Sequence, residues 1–276
     1  MRFNRALQGK IGSDVDALRL SADDAGVIVD VGAGYGGQIL KYLKVASPES
    51  IYAFEPLARN IEILKENVSA AINFFPYACG ATNATVNFFV PNQTPIEGRR
   101  DRDGVRADYN GGSRVQDPRQ TSGAAPPNTS VEKIEQVRLD AILPPGGIRL
   151  LKIDVQGHEE HVLRGLGDRL DDVHVAYVEY SPSRVGAATF LQANGFEIYD
   201  SKYIIFAPQG SEAALEELGF SDVFGFVNSA GRHRYDCSLT DKIADEDVFK
   251  MTLPHGFRVS ETDLICVNKR FDPPLP

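Results

Sequence analysis

The sequence predicts an α/β fold built on a doubly wound, Rossmann-like, mostly parallel sheet. Three observations predict it. Short apolar runs closed by glycine or proline, "VIVDVG" (27–32) and "IYAFEP" (51–56), read as buried parallel strands. Each is followed by apolar residues at helical spacing, in "YGGQILKYLKVA" and "LARNIEILKENVSA". Glycines 32, 34 and 37 spell G-x-G-x-x-G between the first strand and the first of these helices, the ligand edge of such a sheet.

The elements follow in order. Residues 1–26 read as a helical extension, with "DVDALRLSADDAG" at helical spacing and Gly26 as its stop. The two strand–helix pairs lead to a third strand, "INFFPYACG" (72–80), and "ATVNFFVP" alternates like an extra one. Residues 92–130 hold almost no large apolar side chains and form a loop or lid insertion. Its Arg99, Arg100, Arg102, Arg106 and Arg114 suit either a solvated loop offset by Asp101, Asp103 and Asp108, or an arm gripping an anionic substrate. Order returns at "VEKIEQVRLDAIL". Then come a central strand "IRLLKIDVQG" (148–157), a helix "HEEHVLRGLGDRL", a strand "VHVAYVEYS", a helix "AATFLQANGF" and a sixth strand from "EIYDS". Residues 202–258 form a mixed C-terminal insertion with a helix in "SEAALEELGF", before a final strand "DLICVNKR" (263–270). No repeat or linker divides the chain, so 1–276 reads as one domain with two insertions.

The 276 residues are 42% hydrophobic, enough for a full core. Lys and Arg number 29 against 38 Asp and Glu, a net charge of −9, which argues against nucleic-acid or anionic-membrane partners. Cys79, Cys237 and Cys266 show no C-x-x-C pairing and read as reduced thiols. With no apolar run of signal or membrane-span length, the expected location is cytoplasmic. The aromatics of "DVFGFVN" fit core packing, a lid or an interface equally, which leaves a homodimer open.

The glycine loop suits two cofactor classes. A dinucleotide places a pyrophosphate there. S-adenosyl-L-methionine (SAM) has instead an amino-acid tail whose ammonium needs an acid, and Asp30 stands two residues before Gly32. Glu55 ends the second strand, where an acid accepts ribose hydroxyls in both classes. A nicotinamide oxidoreductase therefore stays as the alternative to a SAM enzyme.

The stretch "VRLDAI…LLKIDVQGHEEHVLRG" resembles the signature of the FkbM-type SAM-dependent methyltransferases, whose core is Lys-Ile-Asp-x-Glu-Gly-x-Glu. Here that core is Lys152, Ile153, Asp154, Val155, Gln156, Gly157, His158 and Glu159. The resemblance extends to "VDVGAGYGG", "YAFEP…N" (Phe54, Glu55, Pro56, Asn60), "NGGSR" and "YVEYS", roughly over residues 27–200. It departs at Gln156, where the family commonly has Glu. The resemblance implies a seven-stranded, mostly parallel class I methyltransferase sheet. It also implies SAM as cofactor, S-adenosyl-L-homocysteine as product, and a hydroxyl of a small molecule or carbohydrate as acceptor. An N-methyltransferase is the nearer alternative.

Residue roles follow on that reading. Asp30, Gly32, Gly34 and Tyr35 would surround the amino-acid tail, with Gln38 adding a hydrogen bond. Glu55 would take the ribose, and Pro56, Ala78 and Cys79 would flank the adenine. Asp154, at a strand end, suits the floor beside the methyl group or a helix start. His158 is a candidate general base or a plain helix-start histidine. Glu179 follows a buried strand and suits a substrate hydroxyl. Lys152 reads as structural, and no spacing demands a metal.

Overall fold

The computed structural model describes residues 26–100, 104–109, 113–116, 126–180, 186–227, 232–239 and 253–271. The helical extension expected before Gly26 lies outside them, as do Asp101, Arg102 and Asp103. The described residues fall into two compact units, one within residues 23–173 and one within 174–276.

In the first unit, β1 (Gly26–Val31), α1 (Gly37–Tyr42), β2 (Ile51–Phe54), α2 (Ala58–Asn67) and β3 (Asn73–Phe75) alternate as the apolar runs and helical spacing predict. β1 is almost wholly enclosed, with Ile28, Val29 and Val31 buried. Burial of each such side chain is worth about 1.5–3 kcal/mol. β3 is shorter than expected because Pro76 has no N–H to continue the ladder. The chain resumes as β4 (Ala78–Cys79), then β5 (Ala84–Pro91), β6 (Arg114–Val115), β7 (Thr129–Val137), β8 (Gly147–Ile153) and α3 (Glu159–Arg164).

These strands make two sheets. β8, β1, β2 and β3 lie side by side in that order, all parallel. β4, β7, β5 and β6 form the other, in which β5 and β7 pair antiparallel from Ala84↔Gln136 to Pro91↔Thr129. The 92–130 insertion therefore leaves from the end of β5, contributes β6 and ends in the first residues of β7. A cluster of Leu57, Ala78, Phe88, Val90 and Val115 packs this second sheet.

The second unit carries β9 (Val173–Tyr180), α4 (Gly186–Ala193), β10 (Phe196–Phe206), α5 (Glu212–Glu217), β11 (Phe220–Val227), β12 (His233–Leu239) and β13 (Arg258–Asn268). Its strands run β11-β12-β10-β13-β9, each pair antiparallel. Tyr203, Ile205, Leu215, Phe220 and Tyr235 form its core with Val259.

The chain is therefore mixed α/β, with four parallel strands in one unit and five antiparallel strands in the other. The expected seven-stranded, mostly parallel sheet does not describe it. Residues 202–258 account for much of the difference: they supply β11 and β12, whose short connection to each other favours antiparallel return. Among the described residues no helix is long and apolar enough to cross a membrane.

Candidate active site

β1 lies between β2, its successor in the chain, and β8, which arrives much later. The order of strands reverses there, and the loops leaving the carboxyl ends of the three strands diverge into a crevice. The backbone ties these loops together. Gly32 and Ala33 N–H both donate to Phe54 O at 3.0 Å, and Asp154 N–H donates to Val31 O at 3.0 Å. Gly32 has φ 83°, and a Cβ there would stand 1.9 Å from the Asp154 carbonyl oxygen. Only glycine lets the two loops approach so closely. Gly34 differs: its φ is 54° and a Cβ would meet no atom within 4 Å. Its open side belongs to a cavity of about 200 Å³.

The cavity has apolar walls from Phe54, Pro56, Ala78, Cys79, Phe88 and Val115. Tyr35, Glu55, Arg59, Asn60, Asp154 and Gln156 supply its polar groups. Glu55 Oε1 accepts from Leu57 N–H at 3.0 Å and Asn60 Nδ2 at 3.1 Å, while Oε2 accepts from Gly34 N–H at 3.0 Å. Asn60 Oδ1 is buried and has no hydrogen-bond partner. Burial pushes the Glu55 carboxyl up to about 7, against the lowering effect of its three N–H donors.

The consequence is a pH dependence with a defined sign. Between about 4.5 and about 7 the folded state holds a proton that the unfolded chain has released. This contribution favours folding below the window and is lost as pH rises through it. Melting curves of wild type and Glu55→Gln from pH 4.5 to 7 are expected to show the difference moving against wild type as pH rises. A difference constant with pH would contradict the shift.

Asp30 is fully buried and does not line the cavity. It stands opposite Lys152 in the β1–β8 register, and Lys152 Nζ lies 3.4 Å from its Oδ1. The same ammonium lies 3.6 Å from Asp154 Oδ2, and Gln156 Nε2 donates to Asp154 Oδ1 at 3.1 Å. Lys152 thus links a buried acid to one that faces the cavity, which strand alternation alone does not reveal. Gln156, at φ 58°, uses its amide as a donor to a carboxylate where the signature's glutamate would place a second negative charge.

His158 is buried but does not line the cavity. Its Nε2 meets Gln136 Oε1 at 3.0 Å and its ring stacks on His161 at 4.4 Å. Glu159 accepts the Gly157 N–H at 2.7 Å. Glu179 belongs to the second unit, on β9 opposite Asp263. Among the described residues no three His, Cys, Asp or Glu side chains form a metal-binding group. Burial pushes the Cys79 thiol well above its ordinary range.

Part of the 92–130 insertion is tied to the cavity rim. Tyr35 OH donates to Tyr109 O at 2.8 Å, and the Arg59 guanidinium lies 4.4 Å over the Tyr109 ring. Asn67 Nδ2 donates to Tyr35 O and to Arg106 O, each at 2.9 Å. Arg106 is consumed by Asp108 and Glu66. The Tyr35 hydroxyl is pushed up to about 12, chiefly by burial.

Of the residues singled out from sequence, Gly32, Gly34, Tyr35, Glu55, Pro56, Ala78, Cys79 and Asp154 share this cavity. Asn60 was visible in "YAFEP…N" without a role. Ser113 lines it too, from the "NGGSR" stretch of the resemblance, whereas Arg59, Tyr77 and Phe88 carry no local signal, because folding of the second sheet and α2 brings them there.

No curated protein matches the chain significantly. Among solved structures, the precorrin-6y C5,15-methyltransferase from Geobacter metallireducens GS-15 is 12% identical, over 97% of this chain and 93% of that one, with a TM-score of 0.42. The methyltransferase FkbM domain matches residues 30–219, more than half of the sequence, and includes the glycine loop, Glu55 and the Lys152–Glu159 core of the site. The chain belongs to the FkbM methyltransferase family.

Proposed function

We propose that the protein is a SAM-dependent O-methyltransferase that acts on a hydroxyl of a small-molecule or sugar acceptor. One observation carries the cofactor reading. Glu55 and Asn60 line a cavity beside the open face of Gly34, and the buried Asn60 Oδ1 has no hydrogen-bond partner. A ribose diol supplies the matching donors, and the apolar walls at Pro56, Ala78, Cys79 and Phe88 suit a planar base. When bound, SAM supplies an electrophilic methyl group on a sulfonium.

The chain's own residues do the rest. Glu55 and Asn60 fix the nucleoside. Asp154, braced by Lys152 and Gln156, accepts a hydrogen bond from the acceptor hydroxyl and orients its oxygen. Holding the acceptor in line lowers the barrier by several kcal/mol through proximity alone. Asp30 acts through Lys152, since it does not reach the cavity.

Melting temperatures with SAM, S-adenosyl-L-homocysteine, NADH and NADPH test the cofactor. A ligand well above its Kd stabilises by ~3–4 kcal/mol. A rise with the first two alone is expected; a rise with a nicotinamide alone would overturn the reading. Transfer of a labelled methyl group to a panel of hydroxyl and amine acceptors tests the chemistry. Label found only in amines would contradict O-methylation.

A further inference from the structure

We propose that Arg59 recognises an anionic group, a carboxylate or a phosphate, on the molecule that occupies the cavity beside Glu55 and Asn60. The inference rests on the methyltransferase reading of that cavity and adds to it the charge of what is bound.

Four observations converge. Arg59 lines the cavity. Its guanidinium carbon lies 4.4 Å over the Tyr109 ring, a cation–π contact that occupies one side of the group and makes no hydrogen bond. Its Nε is buried without a hydrogen-bond partner. Among the described residues no carboxylate pairs with it, whereas Arg106 has two. The Tyr109 contact explains where the side chain lies; it does not satisfy the buried Nε.

Its place in the helix strengthens the case. Arg59 sits in the first turn of α2, where the helix dipole disfavours a cation. An arginine held there against that field, over an aromatic ring and toward a cavity, suits an incoming anion. Arg99 adds positive potential: it and Arg59 both act on the Tyr35 hydroxyl. The cavity also contains Glu55 and Asp154, so an anion is admitted only at the arginine side. The polarity is then fixed, with hydroxyls at Glu55 and Asn60 and the acid at Arg59.

Two sources share this chemistry, the amino-acid carboxylate of SAM and an acid group of the acceptor. Titration calorimetry separates them, using wild type, Arg59→Gln and Arg59→Lys with S-adenosyl-L-homocysteine and with 5′-methylthioadenosine, which keeps the nucleoside but lacks the carboxylate. Melting with inorganic phosphate, alone and with S-adenosyl-L-homocysteine, completes the set. If the cofactor supplies the anion, Arg59→Gln weakens S-adenosyl-L-homocysteine roughly tenfold or more and leaves methylthioadenosine unchanged. If the acceptor supplies it, both nucleosides bind as in wild type. Stabilisation by phosphate is then lost in Arg59→Gln and only partly kept in Arg59→Lys. Arg59→Gln indistinguishable from wild type in every arm would overturn the proposal, and so would equal weakening of both nucleosides with phosphate unaffected. If wild type binds neither nucleoside, the cofactor reading fails and the phosphate arm alone decides for or against Arg59.

Discussion

Gly32→Ala is expected to lower stability by roughly 3 kcal/mol or more, from left-handed strain and overpacking together. In melting this is a fall of roughly 6–12 °C. The cause is local. The new Cβ would stand 1.9 Å from the Asp154 carbonyl oxygen, at a φ of 83° that alanine resists. Nothing at that place is the yielding end of a flexible side chain; it is the backbone of the loop after β8. Relief would require β1 and β8 to separate where Asp154 N–H donates to Val31 O. Gly34→Ala provides the control. There φ is 54° and no atom lies within 4 Å of a Cβ, so only the conformational strain of roughly 1–2 kcal/mol applies. Equal melting temperatures for the two variants would contradict this division of labour between the glycines.

Lys152→Met is the second large effect. The Lys152 side chain is 8% exposed, and its ammonium stands between a fully buried Asp30 and the cavity-lining Asp154. Removing one partner of a buried pair costs about 3–5 kcal/mol, because the remaining charge is left in a poor solvent. Asp30 can escape that cost by taking up a proton. The loss in Lys152→Met is therefore expected to shrink as pH falls, and Asp30→Asn/Lys152→Met is expected to recover much of it. Denaturant titration of the single and double variants measures both. A single variant as stable as wild type would show that the pair contributes little. For the same reason Asp30→Ala is a poor probe of ligand binding: it removes the buried partner of Lys152 and confounds affinity with folding.

The first half of the fold was legible because its strands are continuous apolar runs bounded by glycine and proline, and its helices have clear spacing. The parts that were not legible share a cause. β4 and the sheet it joins depend on pairing between residues 78–91 and 114–137, and nothing in either stretch names its partner. β12 (His233–Leu239) does carry a strand signal, with Tyr235, Cys237 and Leu239 alternating with Arg234, Asp236 and Ser238, which the mixed reading of 202–258 does not use. The site shows the same boundary. Glu55 and the glycines stand at strand ends, so local sequence locates them. Asp30 also stands at a strand end, but its burial and its pairing with Lys152 come from the β1–β8 register, which skips more than a hundred residues. His158 opens a helix beside the motif, yet Gln136 on β7 takes its ring nitrogen. Arg59 reads as an ordinary helical arginine until Tyr109 is placed under it.

The most direct measurement is calorimetric titration of S-adenosyl-L-homocysteine into wild type and Glu55→Gln at pH 6 and pH 8. Two ribose hydroxyls donating to an ionised carboxylate contribute about 1.5–3 kcal/mol each. Wild type is expected to bind, and more tightly at pH 8, because deprotonating a carboxyl held at about 7 exposes the better acceptor. Glu55→Gln is expected to bind roughly a hundredfold more weakly, with no such pH dependence. Binding to wild type that Glu55→Gln leaves unchanged at both pH values would contradict the assignment of this cavity as the SAM site.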